Sequence, residues 1–175
     1  MRTVVIGSGS WGTALAQVLQ DNHQEVLVYG VAEAEVNDIN ENHKNSKYFG
    51  DVELNPELKA TTDIQCVKGA DIVLLAVPTI AIDPICHQIN DILDKKTIII
   101  NVSKGFHPET NERMSEVIRR CIDEDKLSSV VSLIGPSHAE EVVIRLLTTI
   151  DAISLNNEDA VTVQNLFSNQ YLRIY

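Results

Sequence analysis

The chain has 175 residues, 44% hydrophobic and 22% charged, which suits one globular domain with a sizeable core and lacks the low hydrophobicity of disordered chains. Its formal net charge of -11 argues against nucleic acid or an anionic membrane as partner, because the summed field repels both, so an anionic ligand must rely on local positive potential. Three cysteines, Cys66, Cys86 and Cys121, form no Cys-x-x-Cys pair; neither a disulfide framework nor a zinc site is suggested, and reduced thiols in a cytoplasmic setting are expected.

Met1 to Ile6 turns to glycine too soon for a signal peptide, and no apolar run approaches the ~20 residues of a membrane span. Thr3 to Ile6 reads as an apolar strand. Gly7-Ser8-Gly9-Ser10-Trp11-Gly12 follows it and opens a helix in which Trp11, Ala14, Leu15 and Val18 recur at helical spacing. A helix N-terminus offers unpaired N–H groups with partial positive charge, which suits a dinucleotide pyrophosphate. On that reading Gly7 permits the turn out of the strand, Gly9 leaves no side chain before the phosphate, and Gly12 lets the helix press on the strand. Eight glycines also generate such spacings at ordinary turns; the position between strand and helix favours the phosphate cradle.

The first helix should end near Asn22, and Glu25 to Tyr29 supplies a second strand. In such units the end of the second strand faces the adenosine ribose, where a carboxylate accepts from the 2′-hydroxyl and an arginine favours a 2′-phosphate. Tyr29-Gly30-Val31-Ala32-Glu33 places no charge there; Glu33 is the nearest carboxylate, and equally reads as a solvated residue in the next helix, Ala32 to about Asn42. In the polar connection from Glu41 to Pro56, Tyr48 and Phe49 either pack down the loop, the preferred reading, or Tyr48 borders the adenine. Thr62-Asp63-Ile64-Gln65 has capping-box form and opens a short helix ending near Gly69.

Asp71 to Val77, Thr97 to Ile100 and Val130 to Ile134 are continuous apolar runs, as expected of parallel strands buried on both faces. Met114, Val117, Ile118 and Cys121 recur at helical spacing, which makes Cys121 a core residue. Thr148 to Leu155 reads as a strand, Asn157 to about Asn169 as a helix, and Tyr171 to Tyr175 as an edge strand. Residues 1–175 are thus expected to form one α/β, Rossmann-like domain: a doubly wound, mostly parallel sheet with helices on both faces.

Ligands in such sheets sit beyond the carboxyl ends of the strands. Three polar loops fall there: Val77 to Thr79, Asn101 to Gly105, and Gly135 to His138. Lys104 is their only cation and could hold a substrate oxyanion, against the alternative of a solvated loop lysine. Ser137 and Glu140 form a Ser-x-x-Glu capping box, compatible with a cap hydroxyl that turns to a ligand. His138 could act as an acid or base. The five histidines show no ligand spacing, so no metal is expected.

Gly-Ser-Gly-Ser-Trp-Gly-Thr-Ala at the start, Val-Ser-Lys-Gly-Phe around Lys104, and Gly-Pro-Ser-His-Ala-Glu-Glu-Val from Gly135 together resemble the NAD(P)-dependent glycerol-3-phosphate dehydrogenase family, over nearly the whole chain but only that family's N-terminal domain. The resemblance implies NAD(P) as cofactor and hydride transfer between it and dihydroxyacetone phosphate or sn-glycerol 3-phosphate. It places Ser10, Trp11, Lys104 and Ala139 against the cofactor, joining Gly7, Gly9, Gly12 and Tyr48, and places Lys104, Gly135 and Ser137 against the substrate, with Lys104 the catalytic candidate. Val31 stands where the family often has arginine, so NADH is expected to bind at least as well as NADPH. The family's catalytic lysine lies in a helical C-terminal domain outside this chain, which is expected to bind dinucleotide without turnover; a homodimer is a further expectation. The competing readings are a 3-hydroxyacid-type dehydrogenase and a non-catalytic dinucleotide-sensing module.

Overall fold

Eight strands carry the architecture in the computed structural model, which describes residues 1–175: β1 (Arg2–Ile6), β2 (Glu25–Tyr29), β3 (Lys59–Thr61), β4 (Ile72–Leu75), β5 (Thr97–Asn101), β6 (Leu127–Ile134), β7 (Thr148–Ile153) and β8 (Leu172–Ile174). They form one sheet in the order β3-β2-β1-β4-β5-β6-β7-β8. The first six are parallel, β7 runs antiparallel to β6, and β8 is parallel to β7. From β1 the chain steps outward to β3 and then returns to place β4 on the other side of β1. That reversal leaves a crevice between the carboxyl ends of β1 and β4, where ligands of doubly wound sheets bind.

The continuous apolar strands are explained by helices on both faces. Successive strand residues point to opposite sides: Val5 joins one core with Ala14, Leu15, Val18 and Phe167, while Val4 and Ile6 join the other with Ile82, Cys86, Met114 and Cys121. On the first face lie α1 (Ser10–Asp21), the short α6 (Ala139–Val143) and α7 (Asn157–Phe167). On the second lie α4 (Thr79–Ile92) and α5 (Met114–Cys121). Cys121 is buried in the second core, as its spacing implies.

Several local expectations need correction. The helix expected to run to Asn42 is α2 (Glu33–Asn37), continued by one π-helical stretch, Asp38–Asn42, before α3 (Ser46–Phe49). Asp63, not Thr62, caps the 3-10 helix Ile64–Val67, its carboxylate accepting from the Gln65 N–H at 2.9 Å. The residue capping α6 is His138; Ser137 lies outside it, and its hydroxyl contacts the Gly135 carbonyl at 3.5 Å. No helix is long and apolar enough to cross a membrane.

Candidate functional site

The crevice is built from backbone. Gly7 leaves β1 with φ +115°, and a Cβ there would stand 2.4 Å from the Ala76 carbonyl oxygen, so only glycine makes this turn beside the end of β4. Gly12 brings α1 so close that a Cβ would lie 1.9 Å from the Gly7 oxygen and 3.2 Å from the Ala76 Cβ. Gly9, at the N-cap of α1, offers no side chain to the first helical N–H groups, and a Cβ built on it meets nothing within 4 Å. The first and third glycines are thus held by contacts inside the protein, while the second faces open space at a positive helix end. A cleft of about 630 Å³ opens there, lined by Gly7 to Trp11, the end of β2 and Ala76 to Pro78.

A pair of charges at the mouth escaped the sequence reading. Glu33 is exposed in the first turn of α2, whereas Glu35, two residues on, turns into the cleft wall with a side chain only 10% exposed. It accepts from the Ser8 hydroxyl at 2.5 Å and from the Lys47 ammonium at 2.7 Å. Burial works against the Glu35 charge, but those two bonds outweigh it and hold the carboxyl below the usual carboxylate range. Asn45 pins the incoming loop by donating to the Ser8 carbonyl and the Thr13 hydroxyl, each at 2.8 Å. Tyr48 lines the cleft and lies 38% exposed beneath Lys47, 5.1 Å from ring centroid to ammonium. The packing reading therefore fails for Tyr48 and holds for Phe49, which enters the core.

Lys104, Gly135, Ser137 and Ala139 lie apart from this cleft and come together with one another. The Lys104 ammonium donates to the Ser137 carbonyl at 3.2 Å and stands 5.8 Å from the Trp11 ring centroid, which links it to the cradle. The Ser103 hydroxyl donates to the Val77 carbonyl at 2.6 Å, tying two of the three carboxyl-end loops together. Ser137 and Ala139 are buried, whereas Lys104 and His138 face solvent. Gly135 has no room for a side chain, since a Cβ would lie 2.8 Å from Ile150 Cγ2. Elsewhere, Asp83, His87 and Cys121 approach within 4.8 Å of one another, but Arg120 already holds Asp83 at 2.9 Å.

Residues 2–161 match the family described as NAD-dependent glycerol-3-phosphate dehydrogenase N-terminus. The chain belongs to that family. Its curated relatives include the glycerol-3-phosphate dehydrogenase (NAD(P)+) of Listeria innocua, 46% identical over 99% of this chain and 52% of the relative, and that of Streptococcus sanguinis, 45% identical over the same shares. Among solved structures, glycerol-3-phosphate dehydrogenase from Coxiella burnetii superposes with a TM-score of 0.90 at 26% identity, covering 99% of this chain and 53% of that one. A UDP-D-ManNAc dehydrogenase from Pyrococcus horikoshii shares the fold alone, with a TM-score of 0.77 at 15% identity over 99% of this chain and 46% of that one. The chain spans about half the length of the curated relatives it matches. The family resemblance carried by the three sequence motifs is thereby established.

Proposed function

We propose that this chain is the dinucleotide-binding domain of an oxidoreductase that interconverts sn-glycerol 3-phosphate and dihydroxyacetone phosphate with NAD(P). The observation that carries the reading is the cradle at Gly9: a helix N-terminus with open space where any side chain would stand, between two glycines that the fold itself requires. The residues present fit a pyrophosphate, because N–H groups and the helix dipole would meet it without a side chain between. Ser10 and Trp11, in the first turn of α1, would contribute backbone N–H groups, while Trp11 and Tyr48 flank the cleft and Ala139 begins α6 beside Ser137.

When bound, the nicotinamide supplies the hydride. Reduction of a ketone builds negative charge on its oxygen, and Lys104 is the cation of the carboxyl-end loops able to stabilise it. Gly135 and Ser137 would hold the substrate beside Lys104, whose ammonium already spans the gap between Trp11 and Ser137. The proton must come from another group, because an ammonium that stays charged to balance the oxyanion is not the donor.

The test is NADH oxidation by a protein of the relatives' full length, with dihydroxyacetone phosphate and with a 3-oxo acid as alternative acceptors. The proposal expects turnover with the first. It also expects Lys104→Ala to raise the barrier by about 3 kcal/mol, the usual cost of losing one preorganised donor, with a much smaller change in NADH affinity. Preference for the 3-oxo acid would instead select the 3-hydroxyacid dehydrogenase reading. Unchanged kcat/KM in Lys104→Ala would return that residue to the solvated loop.

A further inference from the structure

The site proposed for the dinucleotide leaves its ribose end unexplained. Val31, two residues after the end of β2, is 84% exposed and uncharged, so the strand end contributes no charge that distinguishes a 2′-hydroxyl from a 2′-phosphate. In the folded chain, two other residues reach that end of the cleft: Glu35 from α2 and Lys47 from α3. Lys47 is the only cation in the cleft lining. Its position is set by the structure, because Asn45 is anchored to Ser8 and Thr13, and the Ser46 N–H donates to Asp38 at 2.7 Å.

The two side chains differ in freedom. Glu35 is nearly enclosed and held by the Ser8 hydroxyl, for which Gly30 makes room: a Cβ on Gly30 would lie 2.4 Å from that oxygen. Lys47 is 64% exposed, sits on a flexible four-carbon stem and has three N–H donors, of which Glu35 takes one. An ionised carboxylate has about four acceptor positions. Glu35 uses one on Ser8 and one on Lys47, so it can still accept from a ribose hydroxyl.

We infer that the Glu35–Lys47 pair is the element that reads the 2′ position of the dinucleotide, accepting a 2′-hydroxyl through Glu35 and a 2′-phosphate through Lys47. The inference rests on the dinucleotide reading of the cleft and adds its specificity. In the presence of a 2′-phosphate, Lys47 moves from Glu35 toward the phosphate, and its charge offsets the repulsion between two anions at close range. A pair with no net charge favours neither form strongly. The chain therefore binds NADH and NADPH with affinities within about tenfold of each other, since one hydrogen bond to a charged group is worth about that much.

The two partners should act in opposite directions. Lys47→Gln keeps the polar stem but removes the cation, and should weaken NADPH relative to NADH by about tenfold. Glu35→Gln keeps the shape and an acceptor, removes the repelling charge and frees Lys47, so NADPH should gain about tenfold relative to NADH. Raised ionic strength should weaken NADPH more than NADH in the starting protein, and this difference should disappear in Lys47→Gln.

The experiment is titration of the 175-residue chain and of the two single variants with NADH and NADPH, read by Trp11 fluorescence at two salt concentrations, with thermal unfolding of each variant as a check on folding. Opposite shifts in the NADPH-to-NADH ratio support the inference. A ratio unchanged in Lys47→Gln overturns it, and that exposed position decides the matter even if Glu35→Gln fails to fold. Equal loss of both dinucleotides in both variants would make the pair structural only, and also overturns it. If the starting protein bound neither dinucleotide, the cleft reading itself would fail and take this inference with it, an outcome distinct from an unmoved ratio.

Discussion

The two parts of the candidate site are constructed differently. At the ends of β1 and β4, the cradle is made of backbone: Gly7 and Gly12 are fixed by contacts below 3 Å that admit no side chain, and Ser8 is locked between Asn45 and Glu35. At the other end, the groups are side chains and a loop, with Lys104 exposed and its ammonium resting on the Ser137 carbonyl. A backbone cradle is rigid before any ligand arrives, which suits an invariant group such as a pyrophosphate. A side-chain cation already placed by the Ser137 carbonyl suits charge that appears during a reaction. The two are held together behind the site: α6, which follows Ser137, is fastened to α1 by Gln17, whose amide donates to the Val143 carbonyl at 2.8 Å, and by Arg145, which grips Asp21 at 2.8 and 3.0 Å.

The sharpest way to break the contrast is Gly12→Ala. The added methyl would overlap the Gly7 carbonyl, so α1 must move away from β1, at a cost of about 3 kcal/mol. A shift of that size should appear in urea unfolding, with both parts of the site destabilised together. An unfolding midpoint equal to that of the starting protein would show that the contact between α1 and β1 is not tight.

A smaller effect is expected at the fastening. Burial alone would raise the Asp21 pKa, but bonds from Arg145, Tyr171 and Asn55 outweigh it and hold the carboxyl below the usual range. A carboxyl with a depressed folded pKa stabilises the fold above its unfolded value, about 3.9, and that contribution is lost as pH falls through the folded value. Arg145 is 44% exposed, which limits the bond, so Arg145→Ala should cost about 1 kcal/mol at pH 7. The difference from the starting protein should shrink as the pH is lowered from 7 to below the unfolded value, where Asp21 takes up its proton. Urea midpoints at both pH values check this; a gap that stays constant with pH would mean that Arg145 acts by packing.

How much of this was legible in the sequence depends on the range of the contacts involved. The glycine turn between β1 and α1 and the strands β1, β4 and β5 were readable because their signals are local: glycine spacing in the first, unbroken apolar runs in the others. β3 was not, since three residues that pair with β2 through Leu27–Lys59 carry no period of their own. The helix α4 was likewise missed, because Pro84 sits inside it and interrupts the pattern. Glu35 and Lys47 are twelve residues apart in sequence and meet only because Asn45 folds the intervening loop back onto Ser8. The capping residues also shifted by one position, from Thr62 to Asp63 and from Ser137 to His138. At the first, Asp63 rather than Thr62 wins the Gln65 N–H, whereas no side chain caps α6.

The claim on which the rest depends is that open space at Gly9 is meant for a phosphate. Gly9 has φ -70°, a conformation that a side chain tolerates, and nothing within 4 Å of its Cβ position. Gly9→Val should therefore fold with stability within about 0.5 kcal/mol of the starting protein. It should nevertheless lose NADH binding, because the new side chain occupies the place of the pyrophosphate. The measurement is one NADH titration of each protein, read by Trp11, the single tryptophan in the chain, with matched thermal unfolding curves. Binding in the starting protein and none in a folded Gly9→Val variant is the predicted result; undiminished NADH affinity in the variant would contradict the cradle.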